Sequence, residues 1–503
     1  MKSPGKIFLF LIILLPVLGR GDTPKDKKIQ PVPEPKSFVT KGSLFTGKTT
    51  LTYTARASET YIKDKTGNPE ASIFTIAYLK EDVKDISHRP VTFIFNGGPG
   101  SSAVWLHLGV LGPMRVCLPS DGSDSGAPPY RIEQNPLTLL TVSDLVFIDP
   151  VGTGYSRALN NAEDKDFWDT DRDTESIAEF IRIFITKNKR WNSPKYVCGE
   201  SYGSIRAALL VGELQRRFKG IHLNGVMLVS PALDVRTFIF KSGNDLTYVN
   251  YLPSYAAAAW YHNKLPQKPT NLNTFLQEVI DFTVNEYLVA LFKGDSLSEK
   301  EKNHIIDKLH QYTGLSKTFI RNNNLRVMSY RFTKELLRDR GLVIGHADSR
   351  CLGKDPDNAG EYVRNDPETA SNDGAFTAAI NDYLGRGLKV DFEREYKTLT
   401  IEANIHWKRP ASDNDFFSGF VNVMPDLAKG VADNKDLRVF VAAGIYDLTT
   451  AFYSARYMFN QSGIPEDRVT LINYEGGHMM YTNDEAFKKM AMDLREFILT
   501  GKK

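Results

Sequence analysis

The run Gly199-Glu200-Ser201-Tyr202-Gly203 sets a serine between two glycines. It follows an apolar run at 196–198 and precedes a helical pattern with Ile205, Ala208 and Leu209 on one face. A serine hydroxyl is a weak nucleophile until an adjacent base takes its proton. A tight turn from strand to helix lifts that hydroxyl clear of the sheet edge, and flanking glycines permit the crowding. The helix N-terminus adds free N–H groups beside the reacting atom. Chance supplies the bare five-residue pattern in about one chain in six of such length, so the strand before it and the helix after it carry the reading.

Three further runs complete the chemistry. Asn96-Gly97-Gly98-Pro99-Gly100-Ser101-Ser102 directly follows an apolar run at 91–95. So many glycines let backbone approach a ligand, and a loop of this kind can aim an N–H at a developing oxyanion. The residue after the nucleophile, Tyr202, offers a second N–H. Asp447 ends the run Val441-Ala442-Ala443-Gly444-Ile445-Tyr446, and His478 sits in Glu475-Gly476-Gly477-His478-Met479-Met480. The order Ser201, Asp447, His478 is that of the α/β-hydrolases. The histidine would take the serine proton and pass it to the leaving group, while the aspartate fixes the tautomer and stabilises the imidazolium. His88, His107, His222, His262, His304, His310, His346 and His406 have no such companions and read as structural. No H-E-x-x-H run or Cys/His cluster points to a metal, and the chemistry requires no cofactor.

These residues need a frame to position them. Apolar, β-branched runs at 72–78, 91–96, 145–148, 196–198, 225–230, 438–442 and 469–474 predict strands, several of them buried on both faces. Helical patterns fall between them, as at 174–188 and along the C-terminus through Phe487, Met490, Leu494 and Phe497. That alternation predicts an α/β fold of the α/β-hydrolase kind: a mostly parallel central sheet, helices on both faces and a helical cap insertion. We divide the chain into a signal peptide (1–21), a flexible leader (22–47), the first part of the core (48–234), a cap or insertion (235–425) and the second part of the core (426–503). The stretch 365–374 reads as a polar loop, and charge runs such as 296–302 read as solvated helix faces.

The N-terminal order is Lys2 and Lys6, an apolar run at 7–18, then Gly19 and Gly21, which is the pattern of a secretory signal. The apolar run is shorter than the roughly 20 residues a membrane helix needs. A secreted or periplasmic location follows, without stable membrane insertion. Of the chain's 503 residues 42% are hydrophobic and 24% charged, with a net charge of +3 and no long basic block. That composition is globular and gives no reason to expect a nucleic-acid partner. With only Cys117, Cys198 and Cys351, at most one intramolecular bridge can form. Cys198 falls in a predicted strand and reads as a core thiol, and a Cys117–Cys351 bridge is one expectation to set against the structure.

Taken together, the Asn96–Ser102 motif, Asp149-Pro150-Val151-Gly152-Thr153-Gly154-Tyr155-Ser156, the Ser201 motif, the late Gly444–Asp447 and Gly476–Met479 resemble the serine carboxypeptidases, peptidase family S10. The likeness runs from about residue 70 to the C-terminus. It looks nearest the bacterial branch, through Val104-Trp105-Leu106-His107-Leu108-Gly109 and the Gly-His-Met-Met-Tyr ending. The resemblance implies release of C-terminal residues from peptides with a free carboxylate. It makes Ser201 the nucleophile, His478 the base and Asp447 its orienter. It makes the Gly98 and Tyr202 N–H groups the oxyanion hole, and it gives the substrate carboxylate to Asn96, the Gly97 amide and a protonated Glu200. A protonated glutamate donates a hydrogen bond where an ionised one would repel, and burial would keep it neutral. The chain departs from many plant and fungal relatives in carrying Ile94 and Ser101 in place of Trp and Cys. It has no acidic residue at 102–110 to pair with Glu200, and Gly444-Ile445-Tyr446-Asp447 keeps only the second aspartate of a G-D-x-D.

Two other readings stay open at this stage. A serine esterase or acyltransferase would use the same triad and oxyanion donors. A catalytically silent binding protein would keep the fold and lose the activity. Side-chain preference, pH optimum and oligomeric state are not legible in the sequence.

Overall fold

A short run that is apolar on both faces can pair its backbone only inside a sheet covered on both sides, and this sequence supplies several. The computed structural model, which describes residues 32–216, 219–408 and 420–501, gathers them into one sheet. Its principal strands are β1 (Ser37–Phe45), β2 (Thr50–Lys63), β3 (Pro69–Lys80), β4 (Val91–Phe95), β5 (Asp144–Ile148), β6 (Lys195–Glu200), β7 (Gly225–Val229), β8 (Arg438–Gly444) and β9 (Val469–Tyr474). They lie in the order β1-β2-β3-β5-β4-β6-β7-β8-β9, and a two-residue strand, Arg157–Ala158, pairs with β3. From β5 to β9 every neighbouring pair is parallel, while β1, β2, β3 and β5 join as antiparallel pairs. Every residue of β4, β5, β6 and β7 is buried.

The helices that matter for the site are α1 (Thr170–Lys187), α2 (Tyr202–Gln215), α3 (Pro367–Asp382), α4 (Ile401–His406), α5 (Met424–Asp433) and α6 (Asp484–Thr500). α1 starts where the Asp169 carboxylate accepts from the Asp171 and Arg172 amides, and it buries Ile177, Phe180, Ile181, Phe184 and Ile185. Those side chains join one apolar core with residues of α2 and α5, such as Leu210 and Leu427. The opposite face of the sheet is closed by Met490, Leu494 and Phe497 of α6, Phe376 of α3 and Val104 and Leu108 after the glycine loop. The result is a mostly parallel α/β sheet with helices on both faces, as the alternation predicts.

Between β7 and β8 the chain makes a long, mainly helical excursion, including helices Leu246–Tyr261, Leu272–Phe282 and Glu299–Thr313. The charged run at 296–302 opens the last of these. Ser298 and Glu301 cap each other's backbone there, so the charges do lie at a helix start.

Three expectations are corrected. The flexible leader assigned to 22–47 contains strand β1, whose nine residues pair in register with β2. Phe38 and Leu44 turn toward the protein while Val39 and Phe45 face out, a period of two that the Lys and Pro content of the segment masks. Residues 365–374 are not a loop: α3 starts at Pro367, with the Asp366 carboxylate accepting from the Glu368 and Thr369 amides. Asp followed by Pro at the first helical position is a helix-start signal, and the polarity of the stretch obscures it. The Cys117–Cys351 bridge is not formed, since all three thiols are free. Cys117 instead accepts a hydrogen bond from Arg131 Nε at 3.3 Å across a hairpin, and Cys351 is buried beside Gly122. The signal peptide at 1–21, and the leader as far as residue 31, lie outside the described residues. Among the described residues no helix is long and apolar enough to cross a membrane.

The start of the parallel half of the sheet rests on a buried charge cluster. Arg190, 1% exposed, pairs with Asp144 at the start of β5 and donates from Nη2 to the carbonyls of Arg89 and Pro90 at 2.5 and 3.1 Å. Arg89 Nε meets the other Asp144 oxygen at 2.7 Å. Removing one partner strands buried charge and carbonyls, which costs about 3–5 kcal/mol. Arg190→Met is therefore expected to lower the urea midpoint by that equivalent, read from equilibrium unfolding followed by circular dichroism.

Candidate active site

Ser201 sits where β6 ends and α2 begins, in a backbone conformation that an L-residue rarely adopts, φ 58° and ψ −127°. The turn is held by the Ser201 amide donating to Val229 O on the neighbouring strand at 2.9 Å. It is crowded on every side. A Cβ on Gly199 would stand 2.1 Å from Gly203 O, and one on Gly203 would stand 3.0 Å from Asn96 O. The glycine loop after β4 crosses directly over it: a Cβ on Gly97 would lie 2.5 Å from Tyr202 N and 2.6 Å from Glu200 O. The structure thus brings the two predicted motifs together backbone to backbone. Tyr202 opens α2, so its N–H is among those a helix leaves unpaired. Gly98, at φ 100°, makes no backbone hydrogen bond through its N–H to any described residue.

His478 and Asp447 arrive on the loops after β9 and β8. His478 Nδ1 meets Asp447 Oδ2 at 2.8 Å. Asp447 is fully buried, and it also accepts from the Thr449 and Thr450 amides at 2.7 and 2.9 Å and from Thr450 Oγ1 at 2.8 Å. The imidazole loop is tied down by His478 N donating to Ala347 O at 2.6 Å and by Ser230 Oγ donating to His478 O at 2.7 Å. Burial pulls the imidazole down, but the carboxylates of Asp447, Glu200 and Glu368 outweigh it and hold the group up at about 9.

Ser201 and His478 line one cleft of about 380 Å³, together with Asn96, Gly97, Gly98 and Glu200. Glu200 is 3% exposed and receives a hydrogen bond from Tyr481 Oη at 2.8 Å. Burial pushes its carboxyl up to about 7, against the opposing pull of His478 and Tyr481. Asn96 Oδ1 accepts from the Leu106 amide at 3.1 Å, which fixes the side chain, while its buried Nδ2 has no close hydrogen-bond partner among the described residues. The nearby amide still eases Glu200 toward ionisation. A carboxyl group that burial favours in its protonated form and an amide donor thus stand side by side next to Ser201.

Several supporting residues were not anticipated from the sequence. Arg206 of α2, buried, donates from Nη1 to Asn96 O at 2.7 Å and from Nε to Asp173 of α1 at 2.8 Å, clamping the glycine loop to both helices. Asn404 of α4 donates to Gly98 O at 3.0 Å, and Thr400 N donates to Gly100 O at 2.8 Å. The motif at 149–156 turns out to be the seat of the loop. Asp149 Oδ1 accepts from Ala103 N at 2.9 Å and Tyr396 Oη at 3.2 Å, and burial pushes this carboxyl up to about 7. Glu368 of α3 also faces the cleft, in the stretch read as a loop.

A family model described as serine carboxypeptidase matches residues 61–488. Among curated proteins, Serine carboxypeptidase-like 20 of Arabidopsis thaliana is 29% identical over 167 residues, 33% of this chain and 31% of its own length. Pheromone-processing carboxypeptidase KEX1 of Puccinia graminis f. sp. tritici is 28% identical over 192 residues, 36% of this chain and 27% of its own. The matched segment thus spans about a third of these relatives, which come from a plant and a fungus and do not single out a bacterial branch. Among solved structures, KEX1(Δ)p, a prohormone-processing carboxypeptidase from Saccharomyces cerevisiae, aligns with a TM-score of 0.53 at 17% identity, over 88% of this chain and 91% of that one, which shows the shared fold.

The backbone crossing at Gly97 makes a sharp prediction. In Gly97→Ala the added methyl must displace main chain at Tyr202, so labelling of Ser201 by a fluorophosphonate probe is expected to slow by about 100-fold or more. Gly212→Ala, in α2 with nothing within 4 Å of its Cβ, should label at the wild-type rate.

Proposed function

The chain belongs to the serine carboxypeptidase family, and from that premise we propose that it is a serine-type carboxypeptidase releasing C-terminal residues from peptides with a free carboxylate. The observation that carries the reading is the buried pair of Glu200 and Asn96 beside Ser201: an acid that burial favours in its protonated form and an amide whose Nδ2 has no close hydrogen-bond partner among the described residues, in the same cleft as Ser201. A plain esterase or acyltransferase would have no use for them.

In this mechanism Ser201 Oγ attacks the last peptide carbonyl while His478, in its neutral form, takes its proton. The Gly98 and Tyr202 N–H groups receive the developing oxyanion, at a turn already held in its strained conformation before substrate arrives. Asp447, fixed by its three hydrogen bonds from Thr449 and Thr450, keeps the His478 Nδ1–H in place and balances the imidazolium. The imidazolium protonates the leaving amine. Water then attacks the acyl-enzyme by the same relay in reverse, restoring Ser201. The substrate's terminal carboxylate is held by Asn96 Nδ2, the Gly97 N–H and protonated Glu200, whose Tyr481 hydrogen bond fixes its direction. The excursion at 235–425 acts as a cap that supplies Glu368, Leu399, Ile401 and Asn404 to the cleft. The N-terminal pattern at 1–21 supports export, to a secreted or periplasmic location, and likeness to a bacterial branch rests on residues 104–109 and the ending at Tyr481.

Two results test this. Ser201→Ala is expected to lower kcat on blocked dipeptides by about 10⁴-fold or more, measured as amino-acid release. Raising the pH through about 7 removes the Glu200 proton, turning a donor into a repelling charge. KM for a peptide acid should therefore rise above that pH, KM for the matching C-terminal amide should stay flat, and Glu200→Gln should flatten the acid's profile.

A further inference from the structure

The lining of the cleft is lopsided in charge. Glu200, Glu368 and Asp373 contribute carboxyl groups, and no lysine or arginine lies among the described lining residues. Glu368 is 5% exposed; one of its oxygens accepts from Asn372 Nδ2 at 2.9 Å, and the other has no protein partner among the described residues. Asp373, on the same helix α3, is exposed at the cleft wall. The basic side chain among these lining residues, His478, is already paired with Asp447. Arg350 is paired with Asp348, Nη2 to Oδ2 at 2.5 Å and Nε to Oδ1 at 3.0 Å, and Asp348 adds its own negative charge toward Glu368. Asp366, at the start of α3, adds more.

The position of Glu368 identifies the part of a substrate it meets. It packs against the segment at 345–348, where a Cβ on Gly345 would stand 3.2 Å from the Glu368 Cβ, and Ala347 O of that segment accepts from His478 N at 2.6 Å. Glu368 therefore stands on the His478 side of the cleft it shares with Glu200, the side from which the leaving terminal residue would take its proton. Beside it the wall is apolar: Trp105 lies against Phe376 of α3, ring centroids 4.7 Å apart, and Met479 lines the same cleft. A long side chain with an aliphatic stem and a charged head matches that sequence of surfaces.

Building on the carboxypeptidase reading above, we propose that Glu368 and Asp373 receive the ammonium or guanidinium group of a terminal lysine or arginine, with its stem along Trp105 and Met479, so that peptides ending in a basic residue are the preferred substrates. Without a cation, burial and the neighbouring aspartates push the Glu368 carboxyl up to about 8. An arriving cation favours the ionised form and gains a charge-assisted hydrogen bond in a site of low dielectric.

The test compares blocked dipeptides that differ only in ending with Lys, Arg or Leu. The wild-type enzyme is expected to favour Lys and Arg over Leu by about tenfold or more in kcat/KM. Glu368→Gln should lower that ratio by about tenfold, mainly through KM, and Asp373→Asn should lower it by a smaller factor. A wild-type enzyme that favours Leu, or a Glu368→Gln enzyme that keeps the wild-type ratio, overturns this inference and leaves carboxypeptidase activity standing. Release of no residue from any of the peptides overturns the carboxypeptidase reading and this inference with it. If Glu368→Gln loses fluorophosphonate labelling through misfolding, Asp373→Asn decides: an unchanged ratio in that variant overturns the proposal.

Discussion

The whole site depends on two stretches of main chain lying closer together than any side chain would allow. Gly97 crosses the turn from Glu200 to Gly203 at a separation that leaves no room for a Cβ, and Gly199 and Gly203 close the same turn from within. Because backbone meets backbone there, Ser201 and the Gly98 and Tyr202 N–H groups proposed to serve it keep a fixed relation to each other. The strain at Ser201, with its positive φ, is sustained by hydrogen bonds to β7 and by the buried sheet beneath. Everything added around this crossing either holds it or brings a reacting group to it.

What holds it comes from distant parts of the chain. Arg206 ties the Asn96 carbonyl to α1 and α2. The segment at 396–404 reaches from the excursion to the other side, bonding Gly98, Gly100 and Gly154 and placing Tyr396 on Asp149. The electrostatics follow the same economy. Burial raises Glu200 and Glu368 against the opposing pull of His478, and the carboxylates of Asp447, Glu200 and Glu368 in turn raise His478.

The parts legible in the sequence are those written locally. The centres of β4 to β7 read as short apolar runs because these strands are buried on both faces. Ser201, Asp447 and His478 could be read because each follows a strand and they occur in a known order. β1 escaped because its alternation is carried by Thr, Lys and Ser in a segment rich in Pro and Lys. α3 escaped because its start signal, Asp366 before Pro367, sits in a polar stretch that also reads as a loop. Glu368, Asn404 and Arg206 could not be found by spacing at all: their partners lie 110 residues away for Arg206 and 306 for Asn404. Only the folded sheet brings such residues together.

The bond from Asn404 to Gly98 has a consequence in time. A chain emerging from its N-terminus presents the glycine loop and the serine turn well before it presents residue 404, and before Asp447 and His478 exist at all. Until then the loop lacks its outer brace and the serine lacks its base. The grouping of Ser201, Asp447 and His478 is complete only when the last hundred or so residues have been made, as a property of the finished molecule rather than of any one segment.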